Sequence, residues 1–239
     1  MMAQFLLVHG SCHGAWCWRD VIPALAALGH NATAIDLPAH GADITPLDQV
    51  TLDSYRDAIL AASTPDTILV GHSMAGYPIS AAAEHTPEAM ARLVYVCAYA
   101  PVSGLSLADM RRAAPRQPLL PAIVMAEDRK SFTIDPDQVA GVFYHDCTPD
   151  VVAYAKAHLC PQAVLPQDTP ITLGPRFASV AKSYIRCTQD RTIPPEYQIT
   201  MTTGWPEQDV YAMATSHSPF FADPAGLAAL LDDIAKGTP

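Results

Sequence analysis

Short apolar runs alternate with longer helical patterns over the first hundred residues of the chain. Apolar runs of this length are typical of buried strands, and each is followed by enough chain for a helix to cross to the next strand. The strand candidates are 4–8, 31–36, 67–71 and 92–98, and the helix candidates are about 16–28, 52–63 and 74–85. Such an alternation predicts a mostly parallel sheet with helices on both faces.

The pattern breaks at Pro101 and resumes near residue 182. The intervening stretch is rich in proline, and its amphipathic pieces are short. A segment this long is not a plain loop in a compact domain, so we expect an inserted cap at 101–181. Strand candidates 183–187 and 209–214 then follow, and a closing helix begins at Asp223-Pro224 and runs to about Lys236. The predicted organisation is one α/β core, 1–100 and 182–239, interrupted by the cap.

Composition limits the class of protein and its partners. Half of the 239 residues are hydrophobic and 16% are charged, which is typical of a compact globular chain. The formal net charge of -10 argues against nucleic acid or an anionic membrane as the partner. No apolar run approaches the roughly 20 residues of a membrane span, and the first residues lack a targeting pattern, so we expect a cytoplasmic protein. The six cysteines are expected as reduced thiols.

The most informative motif is the segment from Thr67 to Ala83. An apolar strand runs into Gly71-His72-Ser73-Met74-Ala75-Gly76 and then into an alanine-rich helix. In this context a serine lies on a sharp, strained turn with its hydroxyl above the sheet. Small residues are needed around it because Cβ atoms would collide with neighbouring backbone. Ala75 stands where glycine is usual, with Gly76 next, so the motif is weakened and Ser73 is still the candidate nucleophile.

A second motif follows the first strand, at His9-Gly10-Ser11-Cys12-His13. A turn here supplies one backbone N–H to the oxyanion hole in serine hydrolases of this strand order, so the expected donors are the amides of Ser11 and Met74. The rival interpretation is a zinc site. Its ligands would be His9, Cys12, His13 and Cys17, but the spacing contains no Cys-x-x-Cys, so we expect no metal.

The remaining catalytic candidates follow the cap. Asp190 lies just after the strand 183–187, on the same rim of the sheet as Ser73. Its alternative roles are to pair with Arg191 or to cap the following turn. His217 is the one histidine between the last strand and the last helix. The order Ser73, Asp190, His217 is the order expected for this strand pattern, and it predicts a serine, histidine and aspartate that act together.

With these motifs in place, the chain resembles the plant methylesterase and hydroxynitrile lyase branch of the α/β-hydrolases. The resembling stretches are Phe5 to Trp18, Leu69 to Gly76, Cys187 to Gln198, the strand from Ala32 to Leu37 and the loop at His217. The resemblance implies the α/β-hydrolase fold, catalysis without a cofactor, and the same three catalytic residues. The cap matches poorly.

Two positions separate the chemistries in this family. In the lyases a threonine follows the first-turn histidine and a lysine follows the catalytic histidine, whereas this chain has Gly10 and Ser218. Without a cation near His217 a departing cyanide would lack charge stabilisation, so the resemblance favours an esterase. The three tryptophans lie outside the cap, which argues against the plant substrates.

We therefore expect hydrolysis of small to medium apolar or aromatic esters through an acyl-enzyme. The predicted substrate-binding residues are Gly10, Tyr77, Leu119, Leu120, Val142, Phe143, Leu159 and Ser218. The alternatives are carbon–carbon cleavage of the lyase type and a ligand-binding protein that kept the fold without catalysis. The expected partner is a small-molecule ester, and the sequence leaves the oligomeric state open, a homodimer included.

Overall fold

The computed structural model describes residues 2–238, and its centre is a six-stranded sheet in the order β2-β1-β3-β4-β8-β9. Every neighbouring pair is parallel, which confirms the predicted sheet. The six strands are β1 (Gln4–Val8), β2 (Asn31–Ile35), β3 (Thr67–His72), β4 (Arg92–Val96), β8 (Ala181–Cys187) and β9 (Val210–Met213). A second, antiparallel sheet consists of β5 (Ile123–Met125), β6 (Ser131–Ile134) and β7 (Gln162–Ala163).

Helices cover both faces of the central sheet. The helices of the structure are α1 (Val21–Ala27), α2 (Leu52–Ala62), α3 (Gly76–His85), α4 (Leu107–Ala113), α5 (Val139–Phe143), α6 (Pro149–His158), α7 (Leu165–Asp168), α8 (Pro175–Ser179), α9 (Pro195–Met201), α10 (Pro219–Ala222) and α11 (Pro224–Lys236). Because side chains alternate along a strand, Phe5 and Leu7 of β1 enter the core under α1 and α11, while Leu6 and Val8 enter the core under α2 and α3. The sheet is therefore apolar on both faces.

Two of the differences from the predicted element bounds have a clear local cause. The predicted helix 16–28 is a short 3₁₀ turn at Ala15–Trp18 followed by α1, which begins at Val21. Pro23 tolerates only the first turn of a helix, so the helix restarts just before it. The predicted strand 92–98 ends at Val96 because Cys97 has a φ of +35°, which is incompatible with a strand.

Between β4 and β8 the chain leaves the central sheet. Residues 101–180, called the insertion below, contain α4 to α8 and the antiparallel sheet. Proline stands in the first turn of α6, α7 and α8, where its missing N–H costs nothing. Three of the prolines that disrupt the periodicity of the sequence therefore start short helices.

The six cysteines are all free, and Cys12, Cys17, Cys97 and Cys187 are buried. Burial raises the pKa of Cys17 and of Cys97 well above the ordinary thiol range. Across residues 2–238, none of the helices is both long and apolar enough to cross a bilayer.

Candidate active site

Ser73 lies on a sharp turn between β3 and α3. The turn is a 3₁₀ segment at Ser73–Ala75, and Ser73 adopts a φ of +55°. A serine at positive φ costs roughly 1–3 kcal/mol, so the surrounding packing must hold it there. The amide of Tyr99 donates a 3.1 Å hydrogen bond to the Ser73 carbonyl and helps to do so. The hydroxyl thus stands above the carboxyl end of the sheet.

Close backbone approach explains why the glycine of this motif stands one position later than usual. A Cβ on Gly76 would overlap the carbonyl oxygen of Tyr99, whereas Ala75 fits, fully buried, one residue earlier. Gly76 is the first residue of α3, and it is the residue whose Cβ would meet the Tyr99 backbone. The departure at Ala75 leaves the turn intact.

His217 connects the serine to the aspartate. Its Nε2 lies 2.9 Å from Ser73 Oγ, and its Nδ1 lies 2.7 Å from Asp190 Oδ2. An ionised carboxylate only accepts, so Nδ1 carries the proton and Nε2 is free to accept from the serine hydroxyl. His72 Nε2 donates to the His217 carbonyl at 2.8 Å and fixes the loop that follows β9. The three residues that the sequence singled out therefore form one continuous hydrogen-bonded chain.

Asp190 is 2% exposed and accepts four hydrogen bonds. The amides of Thr192 and Ile193 donate to Oδ1 at 2.6 and 3.0 Å, and Gln198 Nε2 donates to Oδ2 at 2.9 Å. Arg191 is not among these donors. Asp190 thus caps the turn after β8 and orients His217 at the same time.

Sequence reasoning missed Gln198. It is fully buried on α9, where it also donates to the Ile193 carbonyl and accepts from the Cys187 amide. The available signal was a glutamine beside Tyr197 on the buried side of a short helix, because buried polar side chains need partners.

The two predicted oxyanion donors border the same cavity as Ser73. Within residues 2–238 the amides of Ser11 and Met74 donate no hydrogen bond to another group, so both stay available to a ligand. The Ser11 turn is held by His13, whose Nδ1 lies 2.7 Å from the Ser11 carbonyl and whose Nε2 lies 2.6 Å from Tyr144 Oη. Because a carbonyl only accepts, His13 donates through Nδ1 and accepts from Tyr144.

Burial keeps the histidines around the site uncharged. Desolvation lowers the pKa of His13 to about 4, and it lowers the pKa of His72 and of His9 well below the ordinary value. The pKa of His40 is lowered by the same cause. At neutral pH no charged histidine among these four opposes a positive charge on His217.

A cavity lies above Ser73 and His217. Most of its wall is apolar. The apolar and aromatic lining residues are Met74, Tyr99, Leu107, Leu119, Phe132, Ile134 and Phe143. Of the predicted substrate-binding residues, only Leu119 and Phe143 line this cavity.

The other six predicted substrate-binding residues lie elsewhere. Tyr77 is buried under α4 and donates to the Leu105 carbonyl, and Leu120 is exposed at the mouth of an outer cavity. Val142 and Leu159 pack against the hydrophobic core on the α11 side. Ser218 is fully buried, and its Oγ has no hydrogen-bond partner within residues 2–238.

Gly10 lies beneath the site and not in its wall. A Cβ there would come within 2.7 Å of His72 Nδ1 and 2.8 Å of Ser73 Cβ. The position therefore excludes a larger residue, because the turn that carries Ser73 lies in direct contact with the turn that follows β1.

The insertion supplies cavity residues that no motif marked. These are Leu107, Arg111, Phe132, Ile134 and Gln167. Gln167 Nε2 donates to Ser11 Oγ at 2.8 Å, so the insertion contacts the first turn directly. An apolar segment with irregular spacing offers no periodic signal for which side chains point inward.

Potential metal ligands cluster at one place in the described part of the chain, at His72, Cys97 and His217. Both ring nitrogens of His217 are already engaged with Ser73 and Asp190. The rival zinc set His9, Cys12, His13 and Cys17 does not form such a cluster among residues 2–238. This arrangement suits proton transfer better than metal ligation.

Comparison with known proteins identifies the family of this chain. Esterase PIR7B of Oryza sativa subsp. japonica is 33% identical over 98% of this chain and 96% of its own length. Methylesterase 7 of Arabidopsis thaliana is 31% identical over 97% of this chain and 96% of its own. A pyrethroid hydrolase from Sphingobium faniae JZ-2 superimposes with a TM-score of 0.86 at 26% identity, covering 99% of this chain and 98% of that one. Residues 5–230 match the alpha/beta hydrolase family, and the chain belongs to it.

Proposed function

We propose that this carboxylic ester hydrolase cleaves its substrate with Ser73 as nucleophile, His217 as general base and acid, and Asp190 as the residue that orients His217. The observation that carries the proposal is the unbroken path from Ser73 Oγ to His217 Nε2 at 2.9 Å and from His217 Nδ1 to Asp190 at 2.7 Å. A serine hydroxyl is a weak nucleophile at neutral pH, and an imidazole at this distance can accept its proton during attack.

The reaction has two halves. Ser73 Oγ adds to the ester carbonyl while His217 accepts the hydroxyl proton, and the tetrahedral intermediate collapses as His217 returns that proton to the leaving alcohol. Water then attacks the acyl-enzyme with the same base, releasing the acid and regenerating the serine. Asp190 stabilises the imidazolium in both halves.

The oxyanion of each tetrahedral intermediate would be bound by the amides of Ser11 and Met74. Two fixed donors cost no reorganisation when charge develops, and one such donor contributes roughly 3–4 kcal/mol in other serine hydrolases. His13 and Gln167 position the Ser11 donor by holding its carbonyl and its hydroxyl.

The apolar lining supports small to medium esters with apolar or aromatic groups, because Leu119, Phe132 and Phe143 surround the reacting centre. Carbon–carbon cleavage of the lyase type is less well supported. The threonine that the lyases carry at the Gly10 position would collide here with His72 and Ser73.

Labelling and mutation test the proposal together. A fluorophosphonate is expected to label wild-type protein at Ser73, and Ser73→Ala is expected to lower kcat for nitrophenyl acetate by at least about 10³-fold. Ser80→Ala is the matched control, since Ser80 is equally buried but hydrogen-bonds to Gly76 and Tyr95 away from the cavity. Retention of more than a few per cent of activity in Ser73→Ala, with a folded protein, would refute the nucleophile assignment.

A further inference from the structure

An arginine of the insertion faces the catalytic cavity. Leu107 and Arg111 are one turn apart on α4, so their side chains share a face of the helix, and both line the cavity that holds Ser73 and His217. Arg112, the next residue of α4, is exposed. Arg111 is thus the one side chain with a full positive charge among the residues that line this cavity.

The charge of Arg111 has no partner among residues 2–238. Within residues 2–238 its guanidinium forms no ion pair, and its Nε is buried without a hydrogen-bond acceptor. Arg112, by contrast, pairs with Asp109 at 2.8 Å. A buried donor left unsatisfied costs about 1–3 kcal/mol, and more when it is charged, so an acceptor supplied by a ligand would be bound favourably.

The charge of Arg111 acts on one other side chain of the cavity, Tyr99. Burial raises the pKa of Tyr99, which lines the same cavity, and the positive charge of Arg111 opposes that rise. The guanidinium therefore acts across the cavity that the ester must enter, and the field there favours a negative group.

The approach to the cavity is also basic. A more open outer cavity shares Arg111, Phe132 and Gln167 with the catalytic one, so it forms its vestibule. The vestibule wall also contains Arg112, which pairs with Asp109, and Arg129, with Asp168 as the one lining carboxylate. The chain as a whole has a net charge of -10, whereas this group of arginines makes the entrance to the cavity locally positive. A positive entrance would steer anionic substrates inward.

We propose that Arg111 binds a carboxylate of the substrate, and that the preferred substrates are half-esters, molecules that carry one carboxylic ester and one free carboxylate. The proposal rests on the ester hydrolysis proposed above and narrows its substrate class. Arginine suits this role because its planar fork matches both oxygens of a carboxylate, while Leu107, Leu119 and Phe132 hold the apolar chain between the two ends.

Matched ester pairs test the inference on the 239-residue chain. Monomethyl adipate and methyl hexanoate have acyl chains of the same length and differ in the terminal carboxylate. Wild-type protein is expected to favour monomethyl adipate in kcat/KM by about 10- to 100-fold, the range for one charge-assisted hydrogen-bonded pair. The preference is expected to fall as salt is raised, because the vestibule is open to solvent.

Variants assign the preference to the residue. Arg111→Met is expected to raise KM for monomethyl adipate by about 10-fold or more and to change kcat/KM for methyl hexanoate by less than about 3-fold. Arg111→Lys is expected to restore part of the preference, since the charge remains without the fork. Arg116→Met removes the same charge from the insertion and is expected to change either substrate by less than about 3-fold, because Arg116 pairs with Glu196 and lines neither cavity.

A second pair, γ-acetoxybutyrate against butyl acetate, places the carboxylate on the alcohol side of the ester. Whichever pair shows the larger loss in Arg111→Met identifies the side of the ester that faces Arg111. The inference is overturned if wild-type protein does not favour the charged member of either pair, or if Arg111→Met lowers charged and neutral esters equally. Absence of turnover with all four esters would instead contradict the proposed ester hydrolysis, so the two failures are distinguishable.

Discussion

Replacing Asp190 with asparagine keeps the volume of a side chain that is 2% exposed and changes only its hydrogen bonding. The carboxylate accepts four donors, two on each oxygen. Asparagine has one acceptor oxygen, so two of these donors would meet its amide N–H groups. If the oxygen stays with Thr192 and Ile193, the amide faces His217 Nδ1.

In that orientation the imidazole is stable only with its proton moved to Nε2. It then donates towards Ser73 and cannot accept the hydroxyl proton. Restoring the productive tautomer costs a lost charge-assisted hydrogen bond, about 1.5–3 kcal/mol, and an opposed donor pair, about 1–3 kcal/mol. Together these predict a loss of about 10²- to 10⁴-fold in kcat, at about 1.4 kcal/mol per factor of ten.

The assay is the pre-steady-state burst of nitrophenol from nitrophenyl acetate, which reports acylation directly. Asp36→Asn is the matched control, because Asp36 also accepts main-chain donors, from Ala15 at 2.6 Å and Ala42 at 3.0 Å, without touching His217. It is expected to lower the melting temperature without a comparable loss of burst rate. If folded Asp190→Asn keeps more than about a tenth of the wild-type rate, the orienting role of Asp190 is refuted.

Two further predictions concern folding. Gly76→Ala is expected to cost about 3 kcal/mol and to lower Tm by roughly 6–12 °C, because its Cβ would overlap the Tyr99 carbonyl, while Gly141→Ala, with open space around it, leaves Tm unchanged or raises it. Equal Tm values for Gly76→Ala and Gly141→Ala would contradict the close approach of Gly76 to the Tyr99 carbonyl. Burial lowers the pKa of His13 from 6.5 to about 4, so between these values the unfolded chain binds a proton that the folded chain excludes, and the free energy of unfolding falls with falling pH by about 3 kcal/mol. Urea unfolding between pH 6.5 and pH 4 should show a smaller fall in the free energy of unfolding for His13→Gln than for the wild-type protein. An identical fall in both proteins would contradict the lowered pKa of His13 in the folded chain.

Local patterns in the sequence predicted most of the central sheet. The strands at 4–8 and 67–71 and the helix at 52–63 agree with the structure within one residue, because their apolar residues repeat at the spacing that the fold buries. Chain order then placed Ser73, Asp190 and His217 at one edge of the sheet. Parallel strands bring their carboxyl ends together, so order along the chain carried three-dimensional information.

The cavity wall was less predictable. Tyr77 and Leu159 have the apolar character expected of pocket residues. In the structure Tyr77 hydrogen-bonds to the Leu105 carbonyl and Leu159 packs against the hydrophobic core. Phe132 and Ile134 reach the cavity only because β6 pairs with two neighbours in a small antiparallel sheet. Contacts between distant segments decide which side chains face the ligand, and the irregular spacing within the insertion does not encode them.

The insertion and the first turn of the core share hydrogen bonds at three points. Cys160 donates its amide to the Cys12 carbonyl, Gln167 binds Ser11, and Tyr144 binds His13. All three hydrogen bonds join the insertion to the loop that presents the amide of Ser11, a candidate oxyanion donor. A chimaera that carried the insertion of another protein, made to change the substrate specificity, would therefore lose turnover as well. It would keep turnover only if the new segment retained hydrogen-bond partners for all three positions. Substrate selectivity and catalytic rate are therefore coupled through the contacts of the insertion.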